Sequence, residues 1–164
     1  MCITGKELAN HIIAHEILGT ESVLPDGLTL SGGVLYVYDS VRNKSLTSFR
    51  TTHVAGKDGR AKSTYLSVNV GQATSSVGIR IPRNSTVVSV AAQSRGTNSW
   101  STSLRKNNNV VDLYTLNIIT NGAHDNTVDL DLDEGDTLQI FCDSPAFLGI
   151  REPLVIVEIA GRLT

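Results

Sequence analysis

The chain has 164 residues, 40% of them hydrophobic and 18% charged, with a formal net charge of -2. That length suits one domain, with apolar material enough for a core and no disorder signature. The near-balance of charge argues against a dedicated nucleic-acid binder. No apolar run approaches the ~20 residues of a membrane-spanning helix, and the best, Leu154 to Ala160, is broken by Glu158.

The first twenty residues read as a helix. Thr4 is an N-cap, Glu7 closes a capping box, and Ile3 and Leu8 are spaced for a hydrophobic staple. Leu8, Ala9, Ile12, Ile13 and Ile17 share one broad face, and Gly19 can end the helix. No cationic region precedes an apolar stretch here, so the expectation is a non-secreted protein without a signal peptide. Residues 20–33 hold Pro25-Asp26-Gly27 and Ser31-Gly32-Gly33 and read as an extended arm. The expected organisation is therefore a helix and anchoring arm over 1–33, followed by a second unit over 34–164.

From residue 34 the hydrophobic period changes to two. Strand-like runs cover 34–39, 46–54, 64–70, 77–82, 86–93, 99–106, 110–120, 127–133, 137–142 and 154–163. Lys57-Asp58-Gly59, Asn107-Asn108-Asn109, Asn121-Gly122 and Glu134-Gly135-Asp136 supply turns between them. Many short strands with no helical pattern between them predict an all-β fold, an antiparallel β-sandwich or jelly roll.

Charge is uneven along the chain. Residues 1–110 carry twelve Lys and Arg against six acids, and 111–164 carry two against ten. Two readings stay open. The sets interleave when strands pair, or opposite poles guide contacts between copies or docking on a larger assembly.

Candidate chemistry is sparse. His11 and His15 stand four apart on the predicted helix, but Glu16 follows the second histidine rather than the first, unlike a zinc-protease helix. Asp129, Asp131 and Asp133 resemble a calcium loop only superficially. Gly135 comes one residue late and no closing Glu follows, so alternation with Val128, Leu130 and Leu132 reads as a strand with carboxylates outward. Cys2 and Cys142 exclude a disulfide scaffold and read as unpaired thiols, with pairing within or between subunits the open alternative. Trp100 reads as core, with sugar stacking the lesser option. No nucleophile elbow, Cys–His pair or phosphate-binding glycine loop is recognisable, so the expectation is a non-enzyme without a metal or other cofactor.

Several runs carry a resemblance. Leu35 to Leu46, with its Tyr-Asp-Ser-x-Arg-x-Lys-x-Leu pattern, is one; Gly78 to Val87, with Pro82-Arg83-Asn84-Ser85-Thr86, is another. Ser99 to Asn107, ending Arg-Lys-Asn, the acidic Val128 to Leu138, and Pro153 to Arg162 follow in order. Together they resemble small β-sandwich virion proteins of tailed bacteriophages: capsid decoration or cement proteins, head fibres, and tail-fibre or baseplate modules. The resemblance implies a symmetric homo-oligomer, a trimer for example, made in the host cytoplasm and placed on the virion, most simply on the head surface. The major capsid protein or other virion proteins would be its partners, with no nucleic acid or membrane. On this reading Ile3, Leu8, Ile12, Ile13 and Ile17 dock on the shell or a neighbouring subunit. Arg42, Lys44, Arg50, Lys62, Arg80 and Arg83 would face acidic partner surface. A tail-fibre or baseplate component with a glycan-binding face near Trp100 and 107–109 is the alternative.

Overall fold

The computed structural model describes residues 22–24, 27–68, 74, 76–96 and 98–163. In chain order the strands are β1 (Ser22–Leu24), β2 (Leu28–Ser31), β3 (Val34–Asp39), β4 (Lys44–Gly56) and β5 (Arg60–Ala61). There follow β6 (Thr64–Tyr65), β7 (Ser67–Val68), β8 (Ile79–Arg80), β9 (Ser85–Arg95) and β10 (Trp100–Lys106). The remainder are β11 (Tyr114–Ile118), β12 (Gly122–Asp125), β13 (Leu130–Leu132), β14 (Thr137–Asp143) and β15 (Ile150–Arg162).

They form two antiparallel sheets packed as a sandwich. The larger runs β1-β2-β3-β4-β15-β9-β12, with β13 added on β9, β5 on β15 and β7 on β4. The smaller runs β11-β10-β14-β6, with β8 on β14. The all-β expectation is thus met, and the period-two runs are its cause: each strand turns alternate side chains to the space between the sheets. From the smaller sheet Trp100, Leu104, Ile118, Leu138, Ile140 and Cys142 point inward. From the larger sheet Val87, Val90, Val155, Val157 and Ile159 meet them.

The predicted helix and its docking residues Ile3, Leu8, Ile12, Ile13 and Ile17 lie outside the described residues, as do His11, His15 and Cys2. Within the stretch expected as an arm, the described residues 22–24 and 28–31 are strands. β1 pairs with β2 and β2 with β3, so this stretch continues the larger sheet at its flank. Strands of three and four residues are too short for periodicity to betray them.

Two other boundaries moved for identifiable reasons. The expected strand 110–120 shrinks to β11. Asn109 takes the Val111 N–H on its side-chain oxygen, and Leu113 N–H returns to the Leu104 carbonyl, making 107–113 a turn. β15 begins four residues earlier than expected and contains Pro153, which lacks a ladder donor. Its pairing with β9 shifts register between Arg151 and Leu154, the bulge that lets a proline sit there.

Candidate interaction surfaces

Polar and charged residues of several of the runs singled out in the sequence are brought together at one end of the sandwich and are largely spent on one another. Asp39 opens the β3–β4 turn by accepting the Val41 and Arg42 N–H groups, an Asx-type turn. Arg42 then folds inward and is only 7% exposed. Its Nε donates to the Val128 carbonyl and its Nη2 to the Val88 and Asn126 carbonyls, each at 2.6 Å. Its Nη1 meets the Asp39 carboxylate at 2.6 Å. Lys44 Nζ sits between Asp129 (2.7 Å) and Asp131 (2.8 Å), and Arg162 reaches Asp131 and Asp133. Thr86 adds a hydroxyl donor to Asp131.

A second cluster ties the turns. Asp136 accepts from Asn107 Nδ2 at 2.6 Å and pairs with Lys106 at 3.0 Å, while its backbone carbonyl receives the Ile81 N–H. Asn84 accepts the Glu134 N–H on its side chain and the Arg162 N–H on its carbonyl. The Arg-Lys-Asn end, the Gly-Asp turn and the Arg-Asn step therefore serve as fold determinants that fasten loops.

This rearranges the electrostatic docking set. Arg42 is not available to a partner, because its guanidinium is buried and bonded to three carbonyls. Lys44 is committed to the acidic strand, and Arg50 pairs with Glu158 at 3.2 Å. Lys62, Arg80 and Arg83 remain exposed without an ionic partner among the described residues. The basic 42–50 segment and the acidic C-terminal part interleave through strand pairing, the first of the two readings left open by the charge pattern. The calcium-like aspartates are carboxylates outward, as their alternation implied, and are compensated by Lys44 and Arg162. Among the described residues no three metal-ligating side chains gather.

Trp100 is 3% exposed, inside the core, so its ring offers no sugar-stacking face. Asn107, just past the other end of β10, is held by Asp136. Cys142 is buried and free, and burial pushes its thiol up to about 12, which leaves it a poor nucleophile. A cleft of about 190 Å³ opens between the sheets beside β4, lined by Phe49, His53, Ile81, Arg83 and Ile159 among others. Sequence reading did not find it, because residues from β4, the β8–β9 connection and β15 meet there only after folding.

The ion pairs make stability acid-sensitive. For Asp39, Asp131 and Asp136 burial raises the pKa, but their cationic and N–H donors outweigh it and the net shift is downward. Asp125 is lowered chiefly by the Thr127 N–H and hydroxyl. Carboxyls depressed in the fold contribute stability above the unfolded value of about 3.9, which is lost as pH falls through the folded values. Burial lowers His53, so protonation of the unfolded chain favours unfolding as pH drops below about 6.5. The melting temperature should therefore decline gently below about pH 6.5 and steeply below about pH 4. His53→Gln should remove the first decline and leave the second. Calorimetric scans from pH 8 to 3 check this; a profile flat down to pH 3 would contradict it.

No family model matches the chain, and no curated protein or solved structure is significantly similar to it.

Proposed function

We propose that the chain is a structural protein of a tailed-bacteriophage particle, a decoration or cement protein that attaches to the head shell through the segment preceding β1. The observation that supports this reading is where that segment joins the fold. β1 is the outermost strand of the larger sheet, separated by β2, β3 and β4 from β15 at its centre. The chain that precedes β1 therefore joins the described fold at a sheet edge rather than at its centre, which suits an anchoring element whose sequence carries an apolar stripe. The order and spacing of the phage-like runs add to it, since residues from those runs lock the loops at one end of the sandwich.

In this role the sandwich is the projecting body, and the apolar positions Ile3, Leu8, Ile12, Ile13 and Ile17 supply the docking energy. Each copy can bind weakly, because repetition over a lattice makes many contacts act together. The major capsid protein is the partner, and of the predicted docking set Lys62, Arg80 and Arg83 are left to meet acidic shell surface. The test is sedimentation of the purified chain with emptied heads of the phage that encodes it. Saturable co-sedimentation at a fixed ratio to capsid protein is expected, and recovery of the chain solely in the supernatant, or with tails instead of heads, would overturn the reading.

A further inference from the structure

The two faces of the sandwich that look outward differ in kind. On the smaller sheet the outward positions include Ser101, Thr115 and Asn117, and the aromatic rings there, Tyr65 and Phe141, are covered by the Arg105 guanidinium, 3.6 Å from the Phe141 ring centroid, so this face is polar and charged. On the larger sheet one row across four strands reads Val54, Ile156, Ala91 and His124. The next reads Gly56, Leu154, Gln93 and Gly122. β15 is therefore apolar on both faces from Leu154 to Val157, the pattern of a strand covered on both sides. Small residues at Ala91 and Gly122, walled by Leu154 and Ile156, leave a hollow of about 300 Å³ on this face. Charged side chains stand beyond it, as the Arg50–Glu158 and Arg95–Glu152 pairs.

The same chain carries a matching projection. In the β14–β15 connection, Gly149 N–H donates to the Ala146 carbonyl at 2.8 Å, closing a turn with Phe147 and Leu148 at its tip. Phe147 is 89% exposed and Leu148 60%. The turn is held firmly. Gly149 has φ +70° and lies so close to Ala61 that a Cβ there would stand 2.2 Å from its carbonyl oxygen. Arg60 donates to the Leu148 carbonyl, and Lys62 Nζ lies 5.8 Å from the Phe147 ring centroid. A large aromatic presented on a rigid turn loses little freedom on binding and is the usual form of an interface anchor.

We propose that this tip of one copy seats in the outer-face hollow of a second copy, so that the chain self-associates head to tail. Projection and hollow are different surfaces, which makes the contact heterologous and able to close into a ring. Tip-to-tip pairing is disfavoured, since it would set Arg60 and Lys62 of two copies against each other.

The test is sedimentation equilibrium of the full chain. Wild type should be oligomeric, and F147S/L148S should weaken association on the order of a hundred-fold while keeping its circular dichroism. Ala91→Glu, which fills and charges the hollow, should do the same. Mixing the two monomeric variants should give one-to-one dimers, because one intact tip and one intact hollow remain. A wild type monomeric up to about 100 µM would overturn the proposal. So would variants with unchanged mass, or a mixture that forms no dimer. A monomeric chain that binds phosphatidylglycerol vesicles through Phe147 would give the tip to lipid instead. Head binding plays no part in these measurements, so the two proposals fail separately.

Discussion

Arg42→Ala is expected to destabilise the folded chain by about 3–5 kcal/mol, the cost of removing one partner from a buried, hydrogen-bonded charge network. The mutation strands the carbonyls of Val88 in β9 and of Asn126 and Val128 in the β12–β13 connection, and leaves Asp39 without its cation. The magnitude follows from burial. An exposed arginine with one ion pair would contribute at most about 1 kcal/mol. Arg42→Lys should recover only part of the loss, because an ammonium cannot present the planar fork that reaches Val128, Val88 and Asp39 together. Guanidinium unfolding of the three proteins measures it; an Arg42→Ala loss below about 1 kcal/mol would show that these contacts carry little.

Leu104→Ala is the second large effect, about 2–5 kcal/mol. Leu104 is fully buried on the inner face of β10, where Tyr114 of β11 and Ile140 of β14 are its register partners. Truncation opens a cavity between two sheets that are each hydrogen-bonded along their strands and so collapse poorly around it. Asn117→Ala, on the outward face of neighbouring β11, should change stability by no more than about 0.5 kcal/mol. The contrast tests which side of the smaller sheet meets the core. Equal losses at both positions would mean that the faces are wrongly assigned.

These two residues also mark what sequence reading can and cannot reach. Leu104 was legible, because alternation over Trp100 to Lys106 puts it on the same face as the tryptophan. The same signal located β3 to the residue and β9, β10 and β14 to within two at each end. Arg42 was read as a surface cation. Its carbonyl partners lie 46, 84 and 86 residues away, and no local pattern distinguishes a cation that will be enclosed from one that stays in water. β12 was missed for a different reason. Asn121-Gly122 has strong turn chemistry, yet Gly122 already pairs with Gln93 as the first residue of a strand. At the candidate surfaces, neither the exposed tip at Phe147 nor the hollow at Ala91 and Gly122 was foreseen. An exposed phenylalanine in a loop looks like a core residue in sequence, and an apolar outward face emerges only when register is known.

The architecture divides labour along the larger sheet. The end bearing Asp39, Arg42, Lys44, Asp131 and Arg162 is ion-paired internally and fixes the loops. The opposite end leaves an apolar hollow and a projecting turn, and β1 leaves the sheet's flank joined to residues 1–21. The proposed attachment to a lattice would need these separated. Stability resides in the ion-paired end and the core, so attachment surfaces can differ without unfolding the body.

The attachment claim is tested most directly by cutting the chain at residue 21, before the first strand, and comparing 22–164 with the full chain for binding to emptied heads. The cut removes no described strand, so the shortened protein should keep its β-sheet circular dichroism. The account predicts that the full chain pellets with heads and that 22–164 stays in the supernatant. Equal decoration by both would contradict it and move attachment onto the sandwich itself.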